Sequence, residues 1–177
     1  MRPGEAITRW RAGVNLGLFQ GGWFACVLGG SLVALPVVAA ILALHLRWIA
    51  RPGEWRWLLG FAGLGLVVDG GLHLAGGFDF GNDFSGALPL WLWLLWPLFA
   101  TLVHHGLGWL WAHPWLALLG GATSAPGSYF LGARLAEVSL APWLLPAQAL
   151  IWGGLCWWLC RRLGPATPRS TQRTAPP

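Results

Sequence analysis

The sequence predicts an all-α fold: a polytopic membrane helix bundle of about six transmembrane helices, with both termini in the cytoplasm. Of the 177 residues 56% are hydrophobic and only 10% are charged, whereas soluble domains carry about 25% charged residues. All positive charges are arginines, and all but Arg134 fall on one predicted side of the membrane: Arg2, Arg9, Arg11, Arg47, Arg51, Arg56, Arg161, Arg162, Arg169 and Arg173. Because cytoplasmic loops carry such an excess, the asymmetry predicts an orientation as well as a class.

Six apolar runs are long enough to cross a bilayer, and they lie at 13–30, 32–50, 55–76, 88–111, 114–136 and 141–163. Small residues at 29–31 separate the first two runs, and an Arg-Pro-Gly sequence at 51–53 ends the second. A polar loop rich in turn residues follows the third run at 76–89. These breaks predict helical hairpins with short connections.

The last two runs each begin near a proline, Pro114 and Pro142, which suits a first helical turn. Pro126 lies inside the fifth run, so we expect a kink there. Residues 1–163 are therefore predicted to form a single transmembrane helical domain. The remaining residues, 164–177, are rich in proline, threonine and arginine, and we expect a disordered basic cytoplasmic tail.

An even number of spans places both termini on the same side, and the arginines identify that side as the cytoplasm. The expected location is the bacterial inner membrane, with multiple passes. The arginines flank apolar runs and form no separate patch, which favours anionic lipid head groups over nucleic acid. The lipid bilayer is the expected partner, other membrane proteins are further candidates, and no nucleic-acid partner is expected.

Small residues recur at four-residue spacing on two predicted helices. Lipid supplies no hydrophobic drive for helix association, so such stripes favour close contact between helix backbones. We expect two packing surfaces of this kind: Gly13, Gly17 and Gly21 in the first run, and Gly120, Ser124, Ser128 and Gly132 in the fifth.

Polar residues inside the runs separate into two layers when a rise of about 1.5 Å per residue is converted into depth. The outer layer contains Asp69, Ser128, Tyr129 and Gln148, with His73 further out. The inner layer contains His45, His104, His105 and Asn15, and Gln20 lies near the centre. Ionisable groups in a membrane are costly and face inward, so both layers are candidates for function.

The candidate catalytic residues are Asp69, His73, His104 and Tyr129. A histidine one turn from a carboxylate is a common proton-transfer arrangement. The alternative is purely structural: Asp69 hydrogen-bonds Tyr129 or Gln148 and fixes helix pairing. His104 is preferred to His105, and His45 is interpreted as an interfacial histidine. The residues expected to line a substrate cavity are Asn15, Gln20, Trp23, Trp96, Ser128 and Gln148.

No metal site is predicted, and the cofactor is left unknown. Asp69, His73, His104 and His105 would together offer four ligands, but the layers lie about 12 Å or more apart along the membrane normal. That distance is too large for shared bonds of about 2 Å. A metal at either layer alone stays open.

Four stretches resemble a family of small bacterial inner-membrane proteins, the domain-of-unknown-function family 2878. They are Asn15-Leu-Gly-Leu-Phe-Gln-Gly-Gly-Trp-Phe-Ala-Cys, Pro89-Leu-Trp-Leu-Trp-Leu-Leu-Trp, Phe99-Ala-Thr-Leu-Val-His104 and Gly127-Ser-Tyr-Phe-Leu-Gly-Ala-Arg-Leu. The resemblance covers nearly the whole chain and implies characteristic positions at Asn15, Gln20, Trp23, Asp69, Trp91, His104, Ser128 and Tyr129. The chain departs from the family at His105 and Ala125-Pro126, which argues against His105 and Pro126 as centres of a shared activity.

Three functions remain open. The first is an enzyme or accessory factor that modifies a lipid or other apolar substrate inside the membrane. The second is a small-solute or proton-coupled transporter, which a kinked helix and two polar layers suit. The third is an assembly partner without chemistry. Whether the protein is an enzyme is undecided at this stage, although the absence of a phosphate-binding loop or a nucleophile elbow argues against nucleotide and serine hydrolysis.

Overall fold

The chain is almost entirely helical. The structure, a computed structural model, describes residues 3–81 and 88–165, with side chains from Trp10 onward. It contains five α-helices: α1 (Pro3–Leu44), α2 (Trp55–Leu74), α3 (Leu90–Val103), α4 (Pro114–Leu135) and α5 (Leu144–Leu163). A π-helical turn, His45–Ile49, extends α1, and a 3-10 turn, Leu110–Ala112, precedes α4. Two short strands, β1 (Phe78–Asp79) and β2 (Ser139–Leu140), pair antiparallel.

The first two predicted runs form one long helix in place of a helical hairpin. At Gly30 the backbone leaves the helical region, with φ 60° and ψ −167°, and divides α1 into two arms. This conformation is essentially restricted to glycine. The hydroxyl of Ser31 accepts a hydrogen bond from the backbone N–H of Trp91 at 3.3 Å, so the kink packs against the start of α3. The expected six separate helices are therefore five, because one residue and not a loop separates the first two runs.

The fourth predicted run, 88–111, is helical only as far as Val103. Turns and the 3-10 segment Leu110–Ala112 follow, and the indole N–H of Trp111 donates to the carbonyl of Val103 at 2.6 Å. This bond folds the segment back over the end of α3. Helix α3 is therefore shorter than the predicted run, and His104 and His105 lie in a turn.

The helices form two groups. The central helix α3 packs against α1 and α2, whereas α4 packs against α5. The β1–β2 pair joins the groups at one end, with Phe78 opposite Leu140. A shared aromatic cluster connects them inside, where Trp96 of α3 stacks on Trp152 of α5 at 4.8 Å between ring centroids.

The predicted packing stripe of α1 is wrong, and that of α4 is wrong at Gly120 but confirmed at Gly132, where a Cβ would lie 3.6 Å from the Val27 side chain of α1. A Cβ added at Gly13, Gly17, Gly21 or Gly120 would meet no atom within 4 Å. Close contact between α4 and α5 falls one residue along, at Gly121, where a Cβ would lie 2.6 Å from the carbonyl oxygen of Trp152. A four-residue spacing of small residues does not predict which helix each of them faces.

Within the described residues, two segments are long and apolar enough to cross a membrane, Trp10–Ile49 and Trp55–Leu74, and α3 is a shorter apolar helix. Large apolar side chains also lie on the outside, with Leu32 and Leu74 exposed to 92% and 84%. Exposed apolar surface of this kind normally marks a contact surface. Length, composition and exposure together favour association with a membrane. Residues 166–177 of the predicted tail and 82–87 of the predicted polar loop lie outside the described residues.

We expect Gly30→Ala to lower the free energy of unfolding by about 1–3 kcal/mol, because alanine at this backbone conformation is strained. Gly21→Ala is the matched control. Gly21 is helical with open space around it, so alanine there should raise stability by about 0.5–1 kcal/mol. Denaturant unfolding in detergent, followed by tryptophan fluorescence, measures both. Equal effects of the two substitutions would contradict the assignment of the kink to Gly30.

Candidate functional site

A cavity of about 800 Å³ lies between the two helix groups. Its walls come from α1, α3, α4 and α5 and from both strands, and most of the lining is aromatic or aliphatic. The polar side chains that reach it are Gln20, Ser124, Ser128 and Tyr129, together with the indoles of Trp23, Trp91, Trp96 and Trp152. The cavity therefore suits a mainly apolar molecule with a small polar part.

Asp69 lies behind one wall of this cavity and is completely buried. Its carboxylate accepts hydrogen bonds from the Trp96 indole N–H at 2.7 Å and from the Tyr129 hydroxyl at 2.7 and 2.9 Å. The Gln148 side-chain amide donates a third at 3.2 Å. These donors stand on α3, α4 and α5, and Asp69 itself stands on α2. One carboxylate thus ties together four helices from both groups.

A second polar contact joins α1 to α4 beside this network. The Trp23 indole N–H donates to the Ser128 hydroxyl at 2.9 Å. Ser128 is the neighbour of Tyr129 in sequence, so the two contacts fix adjacent residues of α4 against α1 and α2. All five α-helices are therefore linked by side-chain hydrogen bonds near one end of the cavity.

The sequence placed Asp69, Tyr129 and Gln148 in one layer, and the structure brings these three together. Five of the predicted residues line the cavity: Gln20, Trp23, Trp96, Ser128 and Tyr129. Asn15 and Gln148, expected as lining residues, are not among the described cavity walls. Gln148 is enclosed against Asp69, and the side-chain oxygen of Asn15 accepts from the backbone N–H of Gly106 at 3.1 Å. The amide nitrogen of Gln148 and the side-chain oxygen of Asn15 bind protein atoms, and neither residue lines the cavity.

His73 and His104 take positions that the sequence did not anticipate. The His73 ring packs against Phe80 at 5.3 Å between ring centroids, while the hydrogen bonds to Asp69 come from α3, α4 and α5. The His104 ring lies edge-on to Trp57 at 5.0 Å. Both are partly buried beside aromatic rings.

A second polar cluster surrounds Glu54, at the N-terminus of α2. Oxygen Oε1 of its buried carboxylate accepts from Nε2 of His45 and from Nε2 of His105, each at 3.0 Å. Oxygen Oε2 accepts from the backbone N–H of Arg51 at 2.8 Å and from His105 at 3.1 Å. The ligand atoms of His45, Glu54 and His105 lie within 4.8 Å of one another, and these residues could hold a metal ion.

Glu54 carries its charge in this cluster. Burial by itself would raise the pKa of Glu54, but the hydrogen bonds from His105, His45 and Arg51 outweigh burial and hold the pKa well below its usual value. The carboxylate is therefore ionised at neutral pH.

The candidate residues predicted from the sequence do not include Glu54, and they include His104, whereas His105 is the histidine that contacts Glu54. Glu54 belongs to the turn that ends the second run, where only the arginines were considered. A carboxylate in the turn between the second and third apolar runs was the available signal. His105 contacts Glu54 and His104 does not, because α3 ends at Val103 and the assumed helical direction of each side chain is lost.

The fold and the site define a class of protein: an α-helical bundle built around an apolar cavity, with a buried carboxylate that joins its two halves. The chain belongs to the protein family of unknown function DUF2878, which it matches over residues 13–159. The resemblance seen in the sequence is thereby confirmed, and the match includes both polar clusters. No curated protein and no solved structure matches the chain.

We expect Tyr129→Phe to lower the free energy of unfolding by about 1.5–3 kcal/mol, since it removes a hydrogen bond to a carboxylate. Asp69→Ala should cost more, because it leaves three donors without their acceptor, at about 1–3 kcal/mol each. Denaturant unfolding in detergent measures both.

Thr123→Ala is the control for these variants. The exposed Thr123 hydroxyl bonds the carbonyl of Leu119 in its own helix at 2.8 Å, so its loss should change stability by less than about 0.5 kcal/mol. A Tyr129→Phe effect as small as that of Thr123→Ala would show that the Asp69 network does not hold the helix groups together.

Proposed function

We propose that this protein is a multi-pass protein of the bacterial inner membrane that binds a lipid or other apolar molecule in the central cavity and acts on it or assists its modification. The observation that carries the proposal is the cavity itself. Its volume of about 800 Å³ lies within the range of about 300–1,000 Å³ typical of small-molecule sites. Aromatic and aliphatic side chains dominate its walls, so an apolar chain is the ligand that fits best.

The entrance to the cavity supports a ligand that arrives from the bilayer. Every exposed residue among the described cavity walls stands on α1 or α4. On the α1 side these include Gly17 and Gln20, and on the α4 side Ser124 and Gly127. Because these side chains are small, they leave the slot between the two helices open. In a membrane such a slot faces hydrocarbon, and an acyl chain enters it without crossing water.

Tyr129 is the residue best placed to contact the polar part of a bound molecule. Its ring lines the cavity, and its hydroxyl donates to Asp69, which leaves the phenolic oxygen as an acceptor. Asp69 does not itself reach the cavity among the described lining residues, so it acts as a positioning residue. Asp69 orients Tyr129 and Trp96, and these two side chains meet the ligand.

The arginine distribution supports an orientation for this arrangement. In our proposal the two arms of α1, the helices α2, α4 and α5, and the segment containing α3 are six membrane-crossing segments. Arg11, Arg51 and Arg56 then lie on the cytoplasmic side, and Asp79 and Arg134 lie outside. This places the Glu54 cluster near the cytoplasmic surface and the Asp69 network nearer the outer one.

Single-cysteine labelling tests this orientation. Cys26, Cys156 and Cys160 are all buried and free, so their replacement by alanine gives a background without reactive thiols. We expect Asp79→Cys and Arg134→Cys to react with a membrane-impermeant maleimide in intact cells. Arg56→Cys should react only after permeabilisation, because its side chain faces the cytoplasm. Labelling of Arg56→Cys in intact cells would contradict the orientation.

A cavity-blocking substitution tests ligand binding. Ser124 lines the cavity, whereas its exposed neighbour Thr123 does not, and both hydroxyls bond only their own helix. We expect Ser124→Trp to reduce the lipid that copurifies with the protein at least about tenfold, or about 1.4 kcal/mol. Thr123→Trp should leave it unchanged. Mass spectrometry of lipid extracts and binding of a fluorescent fatty-acid analogue measure the effect.

Lipid profiles of a deletion strain then connect binding to function. We expect the deletion to change the abundance of at least one lipid class. The unaltered chain should restore the profile, and Tyr129→Phe should fail to restore it at equal protein abundance. Equal copurified lipid in both tryptophan variants, together with an unchanged deletion profile, would overturn the proposed function.

A further inference from the structure

The geometry points to a metal site at the other end of α2: we propose that His45, Glu54 and His105 bind a divalent transition-metal ion, with Zn²⁺ as the expected occupant. Two imidazole nitrogens and one carboxylate oxygen are the donor atoms. The proposal is independent of the lipid-binding function, because none of these residues lines the described walls of the central cavity.

The three donors converge from separate parts of the chain. His45 opens the π-helical turn after α1, Glu54 precedes α2, and His105 follows α3. Both imidazole Nε2 atoms lie 3.0 Å from the same oxygen, Glu54 Oε1. A tetrahedral site with bonds of about 2.0–2.1 Å holds its ligand atoms about 3.3 Å apart. Each of the two nitrogen–oxygen distances is therefore within a few tenths of an ångström of the spacing in a tetrahedral site.

The orientation of each ring suits shared ligation. The rings of His45 and His105 stand at 79° to one another with centroids 5.2 Å apart, so both Nε2 atoms reach one point without stacking. A π-helical turn inserts one residue into the helical register and is frequent at functional sites. Here the turn begins at His45 and aims its ring toward Glu54.

Burial and charge favour an ion at this position. The side chains of Glu54 and His45 are each 1% exposed and that of His105 is 12% exposed. A buried carboxylate needs strong compensation, and a dication supplies it. The Arg51 backbone N–H fixes oxygen Oε2 at 2.8 Å and so orients Oε1 toward the histidines. Such outer-shell hydrogen bonds are typical of carboxylate ligands.

The ligand set limits which metal ions can bind and which chemistry the site can support. Two histidines and one carboxylate with open positions are found at catalytic zinc sites and at non-haem iron sites. Carboxylate and imidazole ligands without thiolates do not select copper(I). The partly exposed side chain of His105 leaves a side from which water or a ligand can complete the coordination. The proposed site is therefore open, unlike a closed structural zinc site.

Metal titration of the full-length protein in detergent tests the proposal. The protein is stripped with a chelator and dialysed, and Zn²⁺ is then added and bound metal is counted by elemental mass spectrometry. We expect about one zinc per chain and a higher thermal unfolding temperature with zinc, because an ion that binds only the folded state stabilises it. Co²⁺ should give the visible absorption of a four- or five-coordinate site with nitrogen and oxygen ligands.

Substitutions assign the ligands. Glu54→Gln and His105→Gln should each reduce zinc affinity at least about a hundredfold, and His104→Gln should leave it unchanged. His104 is the matched control, since it is the adjacent histidine and its ring lies against Trp57. Equal losses of zinc affinity in His104→Gln and His105→Gln would overturn the assignment.

Metal binding by the unaltered protein tests the proposal even where a variant fails to fold. If the stripped protein takes up no zinc and no cobalt, and zinc leaves its unfolding temperature unchanged, the proposal is overturned. The cluster would then be a carboxylate that accepts hydrogen bonds from two imidazoles and fixes the turns between the helices.

Discussion

The architecture depends on one buried carboxylate, that of Asp69. A carboxyl group enclosed in an apolar interior is costly unless hydrogen bonds satisfy it, and here the satisfying donors stand on three other helices. Because α2 belongs to one helix group and Tyr129 and Gln148 to the other, this requirement holds the groups together at a single level. Beside this network the groups also meet at the β1–β2 pair and at the Trp96–Trp152 stack, and the central cavity occupies the space left between them. The polar network and the apolar cavity are therefore two consequences of the same arrangement.

The helix α2 carries a carboxylate near each end, and the two have different surroundings. Asp69 lies about four turns, or roughly 22 Å, beyond Glu54 along the helix axis. Neutral indole, phenol and amide groups surround Asp69, and these donors position side chains but are poor metal ligands. Imidazoles surround Glu54, and an imidazole offers a nitrogen lone pair to an ion. The chemistry of the neighbours, and not the carboxylate itself, separates the positioning role proposed for Asp69 from the ligating role proposed for Glu54.

The sequence predicted well which polar side chains lie at the same depth, but it predicted poorly which way each side chain points. A fixed rise per residue made Asp69, Tyr129 and Gln148 neighbours in depth, and their hydrogen bonds follow from that. The direction of a side chain depends on where its helix ends, and the end of α3 was not predicted. Because α3 stops at Val103, His105 and not His104 reaches Glu54. The contact of α4 with α5 likewise lies at Gly121 and not at the predicted Gly120. The first two predicted spans form one helix, which is kinked at Gly30. Glu54 was missed because it lies in a turn, outside every apolar run.

Trp96 and Tyr129 alone belong both to the Asp69 network and to the described walls of the cavity. Any influence of Asp69 on a bound molecule must pass through these two side chains, since the carboxylate is shielded from the cavity. A molecule that displaced the Tyr129 ring would disturb a hydrogen bond that links α2 to α4, and so would change how the helix groups are joined. Under the proposed function, ligand binding and helix association would be coupled through Tyr129. The structural interpretation of Asp69 and its functional interpretation are therefore compatible: the carboxylate that fixes the bundle also orients the two side chains that would meet the proposed ligand.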